Sequence, residues 1–92
     1  MTHELTGQLA GDLAEFVRTI TEAVPDIPSD LDPDTRFDAT DIDSLVLAET
    51  AVVATRIFRV NIEDWELRDA GTLAAAASLV QHRVAAAHPT DV

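Results

Sequence analysis

The sequence predicts an all-α protein, a small four-helix bundle of three long helices and one short one. Three observations point there. Apolar residues recur at spacings of three and four along the longest segments. Those segments are too long for ordinary strands, and they are rich in alanine, which strands disfavour. The remaining stretches carry the prolines, glycines and aspartates of loops. The 92 residues make a single domain spanning 1–92, its ordered core expected over about residues 5–87, with no room for a second core.

The first helix is expected from about Glu4 to Val24, its buried stripe formed by Leu5, Leu9, Leu13, Phe16, Val17 and Ile20. Gly7 and Gly11 weaken its opening turns, and Pro25 ends it. Residues 25–41, PDIPSDLDPDTRFDATD, hold three prolines and six aspartates and read as a long loop. Such a loop inside a small domain must be anchored or functional. Ile27, Leu31 and Phe37 are the expected anchors. The second helix should cover Ser44 to Phe58. Asn61 then reads as the N-cap of a short helical turn through Trp65, with Asp64 in the capping-box position. Gly71-Thr72 is a stop followed by a fresh cap. The last helix, Leu73 to about Ala87, should bury Leu73, Ala76, Ala77, Val80 and Val84. Pro89 and the tail beyond it are expected to be mobile.

Composition excludes several function classes. The formal net charge is -11 and every cation is an arginine, so nucleic acids and anionic membrane surfaces are poor partners. Basic protein surfaces suit it better. No run approaches the roughly 20 apolar residues of a membrane span. The opening MTHELTGQ lacks the features of a signal peptide, so a cytoplasmic location is expected. With no cysteine, disulfides, thiolate zinc sites and a cysteine nucleophile are excluded. Any thiol chemistry needs a sulfur from outside.

The second helix is unusual in having two apolar sides. Leu47, Ala51, Ala54 and Phe58, flanked by Thr50 and Ile57, form a core stripe. Opposite them stand Glu49, Arg56 and Arg59, as on a solvated face, yet Leu45 and Val52 share that side, and Val46 and Val53 border it. Such a mixture fits a docking surface for a partner, with Leu45, Glu49, Val52 and Arg56 as its contacts.

Ser44 stands at the start of this helix. Ser44 or Asp41 could simply cap it, and Thr40 with Asp43 three residues later has the spacing of a capping box. A catalytic serine would need a base, but His3, His82 and His88 all lie near the termini and no G-x-S-x-G elbow is present. A calcium loop over Asp30–Asp41 is a further alternative, with Asp30, Asp32 and Asp34 at positions one, three and five and Asp41 at twelve. Thr35 stands where that loop needs glycine, and Pro33 stiffens it.

The block RFDATDIDSLVLAETAVVATRIFRVNI, Arg36 to Ile62, resembles the central segment of acyl carrier proteins. Phe37 precedes the serine by seven residues, Asp43-Ser44-Leu45 forms the family's Asp-Ser-Leu, and Glu49 follows by five. Phe58-Arg59-Val60-Asn61-Ile62 matches the F-x-V/I-x-I element, and Thr72-Leu73 the Thr-Leu opening the last helix. The resemblance covers roughly residues 5–85. DSLVLAETA looks most like the discrete carriers of type II, or aromatic, polyketide synthases, and the alanine, arginine and aspartate bias fits a GC-rich genome.

This resemblance implies an acyl-carrier-like bundle and a carrier rather than an enzyme. A phosphopantetheinyl transferase would attach 4′-phosphopantetheine to Ser44, Asp43 would assist it, and Leu45 would complete the motif. The arm's thiol would carry acyl or polyketide intermediates as thioesters, in polyketide, antibiotic or specialised fatty-acid biosynthesis. Ketosynthase, acyltransferase and tailoring enzymes would be the partners of a monomeric chain. The peptidyl carriers of nonribosomal synthetases are a related alternative. By the same resemblance, Val46, Ala51, Ile62 and Trp65 would line a cleft for the acyl chain. Alternatively, Trp65 fills a core poor in aromatics. Three features depart from the family's habit. Asp41 stands where glycine is frequent. Glu49 is the one acidic residue left on a helix that fatty-acid carriers keep strongly acidic. Trp65 is unusual in the short helix.

Overall fold

The computed structural model describes residues 2–87, with side chains from residue 13 onward. The expectations for Leu5, Leu9, His3, His88 and the tail from Pro89 lie outside the described side chains. Four α-helices follow in order: α1 Thr2–Ala23, α2 Ser44–Phe58, α3 Asp64–Ala70 and α4 Leu73–Ala87. There is no strand among the described residues. No helix there is long and apolar enough to cross a membrane.

Helix α2 packs on α1, α3 and α4, and α4 also packs on α1 and α3. From α1, Phe16, Ile20 and Val24 are buried and Leu13 and Val17 partly so, as the three-and-four spacing predicts. The Phe16 ring stacks on that of Phe58, with centroids 5.6 Å apart, joining the first helix to the end of α2. Leu73, Ala76, Ala77 and Val80 are buried on α4, and Val84 partly so. Alanine at these contacts lets the helices approach closely.

The loop between α1 and α2 is pinned rather than slack. Ile27 and Phe37 are buried and Leu31 half-buried, as expected, and Ile42 is a further anchor. Phe37 donates its N–H to the Gly71 carbonyl at 2.8 Å, and Ala74 donates to the Pro33 carbonyl at 2.9 Å. Both bonds tie the loop to the α3–α4 turn. Gly71 makes that turn at φ 84, a left-handed conformation that glycine adopts without penalty. Thr72 then caps α4, accepting the Ala75 N–H at 3.1 Å. A 3₁₀ turn, Phe37–Ala39, leads to Thr40, whose hydroxyl donates to the Phe37 carbonyl and accepts from the Ile42 N–H. Thr40 therefore serves this turn and not a capping box with Asp43.

The short helix begins later and runs further than the sequence implies. Its N-cap is Glu63, not Asn61, and it continues past Trp65 to Ala70. The reason lies at Ile62, which is buried. The Thr55 hydroxyl accepts the Ile62 N–H at 3.0 Å and donates to its carbonyl at 3.2 Å. Both backbone groups of Ile62 are thus bound to α2, and helical bonding starts only after it. Glu66, not Asp64, then accepts the Glu63 N–H, at 3.1 Å.

Glu66 also receives a two-pronged bond from Arg83 of α4, both contacts at 3.0 Å. Arg83 donates in addition to the Asn61 carbonyl at 2.7 Å. This fork crosslinks α3, α4 and the segment between α2 and α3. The Arg83 guanidinium, helped by the Glu63 N–H, holds the Glu66 carboxyl below its ordinary pKa, and the same pair raises that of Arg83. A lowered carboxyl pKa stabilises the fold fully above the ordinary value of 4.5. The contribution is lost as pH falls through the lower folded value. Glu66→Gln should therefore cost about 1 kcal/mol near pH 7. In urea unfolding followed against pH, that difference should stay constant down to the ordinary carboxyl value and close below it.

Candidate functional site

Asp43 starts α2. Its backbone is extended, and its Oδ1 accepts the Val46 N–H at 3.0 Å. The Asp43 carbonyl accepts the Leu47 N–H at 3.0 Å. Neither Ser44 nor Asp41 is the cap, because Ser44 is already the first helical residue and Asp41 lies two residues too early. Ser44 is exposed, and its hydroxyl has no hydrogen-bond partner among the described residues. The side chain that sequence reasoning offered as a cap is thus left available, and its neighbour takes the structural task.

Ser44 lines a surface depression of about 380 Å³ together with Arg36, Asp38, Asp43 and Arg68, floored by Phe37, Ile42, Leu47 and Gly71. The pin between Phe37 and Gly71 brings these residues together from the loop, α2 and α3. Arg36 and Arg68 are the members that periodicity could not reveal, since nothing in their spacing links them to position 44. Among the described residues no histidine lines this depression; His82, exposed on α4, belongs to another.

The docking candidates share one face. With roughly 100° between successive residues, Leu45, Glu49, Val52 and Arg56 fall in one arc beside Ser44, and all four are exposed. Leu45 is 76% exposed and Val52 58%, so two aliphatic side chains stand in water next to the serine. The second apolar side is narrower than the sequence indicates, however. Val46 is buried and Val53 packs against the core, because α2 is covered by three neighbours rather than one. Ile57, expected to flank the core stripe, is 43% exposed in the last turn of α2.

The four cleft candidates part company. Val46, Ala51 and Ile62 lie together in the buried core. Trp65 is 58% exposed, so it does not fill the core. It lines a groove of about 500 Å³ between α3 and α4, with Ala75, Leu79 and His82. Helix α3, extended to Ala70, turns position 65 outward while burying Leu67.

The Asp30–Asp41 segment does not gather its carboxylates. Among the described residues no three of His, Asp or Glu are placed to hold a metal ion. Asp32 Oδ1 accepts the Asp34 N–H at 2.9 Å, making a local turn, and Asp38 pairs with Arg36.

Compared with family models, with curated proteins and with solved structures, the chain has no match in any of the three. The site's own chemistry carries the functional reading. Its cap is directly testable: Asp43→Ala should lower stability by about 1 kcal/mol in urea unfolding, whereas Asp43→Asn, which keeps an acceptor oxygen, should cost a few tenths at most.

Proposed function

We propose that this chain is an acyl carrier protein, bearing 4′-phosphopantetheine on Ser44. The observation that carries the reading is the exposed, unpartnered Ser44 hydroxyl at the start of α2, beside a mixed face of Leu45, Glu49, Val52 and Arg56. A serine kept for capping would be bound to the helix backbone; here Asp43 does that instead. A serine kept for nucleophilic catalysis would have a base in its depression, and among the described residues no histidine lines it.

The start of α2 also fits the group. The Val46 and Leu47 N–H groups are taken by Asp43. Those of Ser44 and Leu45 belong to the first turn, where no intrahelical acceptor exists. They face a region favourable to a phosphodiester. The arm, when bound, supplies the thiol that this cysteine-free chain lacks, and acyl groups ride on it as thioesters. For attachment, Ser44 Oγ forms the new bond to the phosphorus of coenzyme A, and the pyrophosphate bond breaks. Adenosine bisphosphate leaves, and the serine proton passes to the transferase. Asp43 retains a second carboxylate oxygen, outside its cap, that can face the transferase's magnesium.

In this reading the likeness of DSLVLAETA to type II polyketide carriers makes ketosynthase, acyltransferase and tailoring enzymes the partners of the α2 face. Only Glu49 is acidic on a helix that fatty-acid carriers keep strongly acidic, with Arg56 and Arg59 further along, which favours a specialised pathway. The test is direct. Incubated with a promiscuous phosphopantetheinyl transferase, magnesium and coenzyme A, the chain should gain the mass of one phosphopantetheine, and Ser44→Ala should gain nothing. An unchanged mass, or a gain that survives Ser44→Ala, sinks the carrier reading.

Docking through α2 makes a separate prediction. Arg56→Glu should slow turnover of the loaded chain by a partner ketosynthase several-fold. Its stability should move by no more than about 0.5 kcal/mol, as expected of a surface substitution.

A further inference from the structure

We infer that the depression beside Ser44 is an anion-receiving site, in which Arg36 and Arg68 hold the phosphate group borne on Ser44. The inference rests on the carrier reading for the identity of that phosphate, and it names the residues that take it. Two of the six arginines in a chain of net charge -11 line the same depression as the serine. The other four are placed differently. Arg83 is committed to Glu66, Arg56 and Arg59 belong to the outer side of α2, and Arg18 lines a separate groove with α1 and the following loop.

Arg36 is seated, not merely nearby. Its neighbour Phe37 is buried and bonded to Gly71. Its guanidinium lies over Gly71, where an added Cβ would stand 3.1 Å from Nη1, 3.2 Å from Nη2 and 3.3 Å from Cζ. Glycine at 71 thus makes the turn and also leaves room for this cation. Neither arginine is saturated by carboxylate. Arg36 Nε meets Asp38 at 3.4 Å and Arg68 Nη2 meets Asp64 at 3.6 Å. Both are longer than the roughly 2.7–2.9 Å of a charge-assisted hydrogen bond. Among the described residues, both Nη groups of Arg36 lack an acceptor. Planar guanidinium forks match phosphate oxygens well.

The charge balance supplies the need. A phosphate on Ser44 would sit among Asp38 and Asp43, in a segment already dense with aspartate. The two arginines offset those two carboxylates, so the depression is locally neutral within an acidic protein. Without them the group would meet repulsion at the root of the arm.

The experiment compares arginine side-chain Nε–Hε resonances in three preparations: the unmodified chain, the transferase-modified chain, and a chain carrying Ser44→phosphoserine installed during synthesis. The Arg36 and Arg68 resonances should move in both phosphate-bearing forms, while those of Arg56 and Arg59 stay in place. Modification should also raise the melting temperature at low salt, and the double variant Arg36→Gln, Arg68→Gln should lose that increment. Unmoved Arg36 and Arg68 resonances in the phosphoserine form, or equal movement of all arginines, overturn the proposal. If phosphoserine shifts Arg36 and Arg68 but the transferase adds no mass, the carrier reading fails and the anion-receiving site stands.

Discussion

The bond from the Phe37 N–H to the Gly71 carbonyl, 2.8 Å long, is the constraint on which the rest of the arrangement depends. It joins the long acidic loop to the turn between α3 and α4. With the Phe37 ring buried beside it, the loop has one place to lie, and α2 one place to begin. The bond from Ala74 to Pro33 repeats the attachment further back. Loop closure over this many residues is entropically costly, and buried Ile27, Phe37 and Ile42 offset that cost. The result is a serine at the first position of a helix, although it follows a loop rich in proline and aspartate.

Electrostatics work locally against the chain's overall acidity. Six cations cannot neutralise seventeen carboxylates, so their positions matter more than their number. Arg83 is used structurally, binding α3 to α4 and the segment before it. Arg36 and Arg68 converge on the depression at Ser44. Arg56 and Arg59 remain on the outer side of α2. Five of the six arginines thus fall into three sets: one holding the bundle, two lining the depression at the serine, and two exposed toward the end of α2.

The fold was largely legible because helices announce themselves by spacing. The bounds of α2 and α4, the buried Ala76, Ala77 and Val80, and the anchors Ile27 and Phe37 follow from apolar periodicity and from prolines. What the pattern missed were contacts between distant residues. Thr55 holding Ile62 delayed the start of α3 and moved its cap from Asn61 to Glu63. Val46 appeared to border an exposed face because a helical wheel cannot say how many neighbours cover it. Trp65 stands outward because α3 begins at Asp64 and buries Leu67, and residues two apart lie on opposite sides of a helix. At the candidate site, the start of α2 at Ser44 and the exposure of Leu45, Glu49, Val52 and Arg56 could be read from local order, but the cap could not, since Asp41, Asp43 and Ser44 all carry capping side chains. Arg36 and Arg68 could not, since only the closed loop brings them to the serine.

In the carrier reading this fold presents one hydroxyl, that of Ser44, for attachment. Locating the attached group tests it most directly. Trypsin, cutting after Arg36 and Arg56, releases a peptide whose one serine is Ser44, separating it from Ser29 and Ser78. Fragmentation of that peptide after transferase treatment should place the whole phosphopantetheine on Ser44 and leave Thr40, Thr50 and Thr55 unmodified. An arm found on Ser29, Ser78 or any threonine would rule out Ser44 as the attachment point.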